Sequence, residues 1–482
     1  MSDPENSENR KSSAAPSGRR RLLLWAAALL LLFLAHLAAD LFMANRHPDF
    51  FLHDDGYEYL AGVRSFAENG TFMAGAERHY EAPRSHDIPE AFRQPLMSFL
   101  AGLLARLLHD PMTGAAVFTA LSATCLAWTV FLIGRNWGGW PAGLVSAALI
   151  TFHPLFLTFS LRFSSECPFI LLLAVFILAW SELTSWHRYA VMGAAAALAC
   201  GVRPTALLFL PAFGVFQLVR CVCGRFFRDE AVNLRKCVLE YAVYAAAFLL
   251  FLSPLCIRNH INYGTWSPSG SFGGFNIFIG NCLDNAMAYR SSDAATFLRH
   301  QDDGWARGIA IAKAMPPDLS PVEQDRLFRE ATKKEIEEMG AAEFCHMSLS
   351  KAWHFIRPWP LYGAHHPAVF WLITVSELAL FIGGAAGAWR MRDKRAGLLL
   401  LLMILCVGWS AHTAVHLQMR HRVPFLDLSL VLLSGVAFGH VLQALFRRIG
   451  TRLPGCDGPN DGRCASVPPE NKNSPAPASR DS

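Results

Sequence analysis

Charge is scarce in this chain. Only 17% of its 482 residues are Asp, Glu, Lys or Arg and 53% are hydrophobic, whereas a soluble domain carries about a quarter charged residues. Most of the surface must therefore face something other than water, and lipid is the solvent that fits. The net charge of +5 is too small to point to nucleic acid, and the basic residues sit at the ends of apolar runs instead of forming one patch. Metal-ligand spacing is also missing. Cys221 and Cys223 are one residue apart, and Cys125, Cys167, Cys200, Cys256 and Cys406 lie in or beside apolar stretches, where a thiol packs as a small hydrophobe. Cys282 and Cys345 share a long polar segment and are read as unpaired. No internal repeat recurs, which counts against the paired halves of many transporters.

What is present is a series of apolar runs. Arg19, Arg20 and Arg21 precede the first, residues 22–43, which is long enough to cross a bilayer core of roughly 30 Å and too long for the apolar part of a signal peptide. It reads as a retained anchor with the N-terminus in the cytoplasm. Further runs cover 112–133, 140–158, 167–183, 189–200, 206–218, 238–257, 368–388, 396–415 and 425–446. Alternation from the first run puts 220–236, 390–395 and 447–452 on the cytoplasmic side, and these are the densest basic clusters near membrane ends. The expected fold class is an all-α polytopic membrane protein of about ten to eleven transmembrane helices in the plasma (inner) membrane, both termini cytoplasmic.

This divides the chain into a disordered tail (1–20), an N-terminal transmembrane module (21–257) with a first outer loop (46–110), an extracytoplasmic segment of mixed structure (258–366), C-terminal transmembrane helices (367–446) and a second disordered tail (447–482). In the outer loop, Gln94-Pro95 opens an apolar stretch too short to span comfortably, which suits a helix lying in the interface. In the later segment, Ser320-Pro321-Val322-Glu323 has the form of a capping box, Gly340 ends the helix that follows, and 341–355 reads as an interfacial helix stopped at Arg357-Pro358.

Candidate chemistry begins at Asp54-Asp55, just past the first run. A carboxylate at the membrane edge can act as a base while apolar surroundings raise its pKa; the same pair could instead be a solvated loop or a helix cap. Arg93, Arg162 with Glu166, Arg203, Arg258, Arg420 and Arg422 all fall on the same predicted side. Each arginine alone is consistent with snorkelling, but several cations facing few anions suit an anionic ligand such as a phosphate. The spans themselves read as almost free of charge, with His36, Asp40, His153 and His412 as exceptions. Tyr263, Trp266, Phe272, Phe275 and Phe278, mixed with glycine and asparagine, could stack on a sugar or form an interfacial aromatic belt.

Taken in order, Asp54-Asp55 with Tyr59 and Arg64, Arg93-Gln94-Pro95-Leu96, Ser165-Glu166, Arg203-Pro204-Thr205, residues 254–259, Gly273-Gly274-Phe275-Asn276, Gly280-Asn281 and Arg420-His421-Arg422-Val423-Pro424 resemble the GT-C glycosyltransferases. The nearest pattern is the bacterial branch related to protein O-mannosyltransferases and lipid A aminoarabinose transferases, and the likeness covers 20–446. The resemblance implies a polyprenyl-phosphate-sugar donor and an extracytoplasmic acceptor that is a glycan, lipid or protein, with inversion at the anomeric carbon. It assigns Asp55 as the catalytic carboxylate with Asp54 and Glu166 beside it, Arg93, Arg203, Arg258, Arg420 and Arg422 to the donor phosphate, and Tyr57, Tyr59, Asn276 and Asn281 to sugar or acceptor. No counterpart is found of the lysine that some members carry near the Pro-Leu helix. No cofactor is expected, and the scattered carboxylates neither require a divalent cation nor forbid one. A transporter or flippase of lipid-linked saccharides and a non-catalytic envelope-assembly subunit are the rival readings.

Overall fold

The computed structural model describes residues 18–53, 55–72, 93–224, 233–269, 272–291, 293–316, 319–360, 366–415 and 418–449, with side chains from 23 onward except at 272 and 419. Asp54, most of both tails and part of the first outer loop lie outside the described residues, while α1 begins at Gly18 and α15 runs to Arg448. Every regular element among those described is helical.

Helix α1, Gly18–Arg46, packs along α4, Pro111–Phe152, where Trp25 stacks on Trp140 with ring centres 4.8 Å apart. The 42 residues of α4 are two helices joined at Gly138 and Gly139, and Gly139 takes a φ of 79° that a side chain would resist. The halves fold back on one another: a Cβ on Gly134 would meet Ser146 Oγ, and one on Gly143 would meet the Phe131 carbonyl. Two separate apolar runs thus become one bent element. Between α1 and α4 lie α2, Gly56–Asn69, and α3, Pro95–Leu108, the short helix expected after Gln94-Pro95.

Next come α5, Glu166–Glu182, α6, Ser185–Cys200, α7, Phe209–Val222 after a 3-10 turn at Pro204–Leu208, and α8, Leu234–Tyr263. The C-terminal spans are α13, Pro367–Arg390, α14, Arg395–Ala414, and α15, Leu428–Arg448. Seven helices among the described residues are long and apolar enough to cross a membrane, fewer than the ten runs in the sequence. The difference is physical: α4 merges two runs, while α5 and α6, at 17 and 16 residues, are shorter. Small residues set the closest approaches. Gly387 of α13 lies against the Leu433 carbonyl of α15, and Gly435 and Gly439 of α15 lie against Ser146 and Ala142 of α4, leaving no room for a Cβ.

The segment expected to be mixed is helical where it is described: α9, Phe272–Asn281, α10, Leu283–Arg290, α11, Ala294–Ala314, and α12, Pro321–Ile356. Its core gathers Phe275, Phe278, Ile279, Cys282 and Phe328. The capping box forms as read, with Ser320 and Glu323 satisfying each other's backbone N–H, and α12 bends at Gly340, where φ is 76°. Phe275 and Phe278 are therefore core residues instead of sugar platforms, because α9 turns them onto Phe328. Cys282 is buried and Cys345 exposed, and both are free thiols.

Candidate active site

The site is assembled from four turns at one end of the bundle. Asp55 precedes α2, and Gly56 lets that helix start hard against the loop ahead of α5: a Cβ there would come within 2.9 Å of the Phe163 carbonyl. Phe163 N–H in turn donates to the Phe51 carbonyl at 2.8 Å. At the next turn, Leu96 N–H donates to the Gly201 carbonyl at 3.1 Å, which ties the start of α3 to the turn carrying Arg203. Arg203 is held in extended backbone ahead of Pro204, as a residue before proline prefers. Arg420 comes from a single 3-10 turn, Met419–His421, between α14 and α15.

These turns bring the charged groups together. Arg93 Nη2 lies 2.7 Å from Asp55 Oδ1, and its Nε pairs with Glu58. Arg203 pairs with Glu166 and donates from Nε to Ser165 Oγ at 2.9 Å. Arg420 bridges the two halves, with Nη1 3.3 Å from Asp55 Oδ2 and Nε 3.7 Å from Glu166 Oε1. The cluster is therefore balanced, three arginines against three carboxylates, where the sequence suggested an excess of cations. The missing anion is Glu58, one helical turn from Asp55 on the face of α2 that meets Arg93.

Electrostatics follow from this balance. Burial alone would push the Asp55 carboxyl up, but Arg420, Arg93 and Arg203 outweigh it and hold the group down at about 2. That corrects the expectation of a raised pKa: the apolar surroundings are real, and the arginines win. Burial opposes the charge on Arg93 too, yet Asp55 and Glu58 hold its guanidinium above the ordinary range. Tyr59 is buried beside Arg93, whose guanidinium lies 5.7 Å from the ring centre, and its phenol is pushed up by burial.

A cavity of about 270 Å³ opens over the cluster, with Asp55, Tyr59, Arg93, Arg203 and Arg420 in its wall. Asn276 and Trp305 face the same space from the helical segment, as do His412 and His421, whose rings stack at 4.4 Å. Of the residues assigned from sequence, Asp55, Glu166, Arg93, Arg203, Arg420, Tyr59 and Asn276 thus converge.

The other assignments land elsewhere. Arg422 is wholly buried between spans, paired with Glu377 and with Asp427 at 2.9 Å, because the chain after Arg420 turns inward to begin α15. Arg258 donates to Asn259 Oδ1 at 2.9 Å and to the Tyr263 hydroxyl at 3.3 Å and is outside the cavity wall. Tyr57 donates to Asp49 Oδ1 at 2.6 Å on the outer face of α2. Asn281 is buried and structural, donating to the Ala414 carbonyl at 3.0 Å. Among the described residues no group of three or more His, Cys, Asp or Glu side chains is gathered to hold a metal.

Residues 89–257, about a third of the chain, match the family profile of dolichyl-phosphate-mannose-protein mannosyltransferases. Among solved structures, the oligosaccharyltransferase of Archaeoglobus fulgidus in its apo form superposes with a TM-score of 0.50 over 88% of this chain at 13% identity. This is the GT-C fold. The chain spans about half the length of that archaeal protein, covering 52% of it. Two further GT-C structures are similar at lower scores. AglB of Archaeoglobus fulgidus, in complex with an inhibitory peptide and a dolichol-phosphate, has a TM-score of 0.49 at 13% identity, covering 88% of this chain and 52% of its own. ArnT of Cupriavidus metallidurans, bound to undecaprenyl phosphate, has 0.35 at 15% identity, covering 90% and 80%. No curated protein matches the chain.

Two features of this chain were missed in its sequence. Lys351 of α12 is fully buried, donates to Asn281 Oδ1 at 2.9 Å and to the Thr413 carbonyl at 3.5 Å, and is pushed down to about 7 by burial. Only the packing of α12 against the end of α14 reveals it. Glu377 could have been found: it is a lone carboxylate inside an apolar run, and such a residue needs a partner. The spans are therefore less free of charge than they read.

Proposed function

We propose that this chain is a membrane glycosyltransferase that moves a sugar from a polyprenyl-phosphate-linked donor to an acceptor outside the cytoplasm. The observation that carries this reading is the convergence of Asp55 and three arginines on one cavity at a bundle end, with Glu166 buried behind Arg203. The cavity lies at the end of the spans opposite the densest basic clusters, which supports an outward-facing site with cytoplasmic termini.

In this reaction the acceptor oxygen bonds to the anomeric carbon as the bond from that carbon to the phosphate oxygen breaks, and the configuration inverts. The acceptor proton passes to the Asp55 carboxylate. The bond electrons leave on the phosphate, a weak base that needs no proton and is stabilised by cations. Arg420 is the best placed to receive it, being the most exposed arginine of the cluster at 24%, against 13% for Arg93 and 11% for Arg203. As the phosphate draws Arg420 away, Asp55 loses part of the charge that suppresses its basicity. Donor binding and base activation are thereby coupled. Glu166, held by Arg203, orients the acceptor.

The test is Asp55→Asn in native-like membranes, supplied with polyprenyl-phosphate sugars and scored by mass spectrometry of envelope lipids, glycans and proteins. Transfer should fall by roughly 10²–10⁴-fold, the range for a lost general base, with normal membrane insertion. Full transfer by this variant would remove the catalytic assignment, and a transporter or assembly subunit would then be the better account.

A further inference from the structure

The cavity over Asp55 is not alone among the described residues. A second cleft of about 480 Å³ lies at the other end of the bundle, between the bend of α4, the end of α5, the starts of α6 and α8, the end of α7 and the turn joining α13 to α14. Three elements run from one cavity to the other. Helix α5 carries Ser165, its N-cap, in the first wall and Trp180 near its last turn in the second, the 204–222 stretch carries Pro204 in the first wall and Arg220 in the second, and α14 carries Gly397 in the second and His412 in the first. At 1.5 Å per residue the 17 residues of α5 rise about 25 Å, close to a bilayer core. The second cleft therefore opens at the opposite membrane face.

Its wall holds four cations, Arg188, Arg220, Lys236 and Lys394, against two carboxylates, Glu240 and Asp393. Glu240 is already neutralised by Arg220 at 3.0 Å. The remaining lining is thus cationic. Trp180 lines the cleft, with the guanidinium groups of Arg188 and Arg220 5.0 and 5.1 Å from its ring, an arrangement that fixes both cations in place. Asn136 Nδ2 is buried there with no hydrogen-bond partner, a donor awaiting an acceptor.

We infer that this cleft is a second binding site, separate from the transfer chemistry, for the phosphate of an anionic phospholipid headgroup in the leaflet opposite the active site. Phosphate chemistry fits each feature: fixed guanidinium groups, a spare amide donor, an ammonium rim and no uncompensated buried carboxylate. The same chemistry would accept free phosphate from the adjoining water, so the experiment separates the two sources.

The full chain in neutral detergent is titrated with short-chain phosphatidylglycerol, phosphatidylcholine or inorganic phosphate and followed by native mass spectrometry. A phosphatidylglycerol carrying a photoreactive headgroup is crosslinked in parallel. Phosphatidylglycerol should bind in preference to phosphatidylcholine and crosslink to peptides bearing Arg188, Lys236 or Lys394. The Arg188→Gln, Lys236→Gln double variant should lose roughly tenfold or more of the affinity, and the Arg188→Lys, Lys236→Arg variant should keep it. Displacement of the lipid by millimolar inorganic phosphate would support the site and name free phosphate as a competing occupant. Equal binding of both lipids, or crosslinks confined to other helices, would overturn the inference even if the double variant failed to fold.

Discussion

Arg420 Nη1 lies 3.3 Å from Asp55 Oδ2, so a residue near the end of the chain closes on one just past the first helix. The contact joins two turns more than 300 residues apart, and Arg420 is the largest of the charges that lower the pKa of Asp55.

Arg420→Gln should lower kcat/KM for transfer by roughly 10²-fold, as expected when one fixed donor to a developing anion is removed. Arg420→Lys should recover only part of this, because an ammonium cannot bridge two carboxylates in the fork geometry of a guanidinium. Steady-state kinetics in nanodiscs, with donor concentration varied, check this. Unchanged kinetics in the glutamine variant would detach Arg420 from the donor.

The pH dependence follows from the lowered pKa of Asp55. Its carboxyl sits near 2 in the folded chain against about 3.9 when unfolded. The stability contributed by the ionised cluster is therefore complete above about 4 and is lost as pH falls toward 2. Since kcat/KM reports the free enzyme, it should show no acid limb from Asp55 between about pH 5 and 8. A limb near pH 6 that disappears in Asp55→Asn would contradict the arginine clamp.

Lys351 gives the opposite sign. Burial lowers its pKa from 10.5 to about 7, so between these values the unfolded chain holds more protons than the folded one and stability rises with pH. The slope should reach at most about 1.4 kcal/mol per pH unit. Thermal unfolding at pH 7 and 9.5 should show the rise in the natural chain and a flatter profile in Lys351→Met. Identical profiles would mean that the lysine is not buried as described.

Arg422→Met should destabilise the fold by roughly 3–5 kcal/mol, because it leaves Glu377 and Asp427 without their cation between spans. Replacing all three by apolar residues should restore much of the stability, since the charges then have no desolvation cost left to offset. Chemical denaturation in mixed micelles of the single and triple variants provides the comparison. A single variant as stable as the natural chain would show that the triad is not what fixes the turn before α15.

Much of this was legible in the residues themselves. The apolar runs, the capping box at Ser320 and Glu323 and the short helix after Pro95 are local effects of hydropathy, side-chain reach and backbone freedom, and each appears where the pattern put it; Gly340, read as a helix end, is a bend within one helix. Asp55, Arg93, Glu166, Arg203 and Arg420 could be nominated because each lies near an apolar run on the predicted outer side and within a motif that resembles the GT-C pattern. Arg422 met the same criterion and has a different role, since two residues of turn separate a side chain facing the cavity from one facing the core.

The sequence by itself determined that the chain is a helical membrane protein and which polar residues lie near the ends of its spans, because those properties depend on neighbours within a few turns. Only the tertiary structure decided the charge of the site. Glu58 balances Arg93, Arg420 reaches back to Asp55, and Lys351 and Glu377 are sealed in the interior, all through contacts between distant segments. A pKa answers to every charge within a few ångströms, whatever its distance along the chain, and so the sign of the shift at Asp55 waited on the fold.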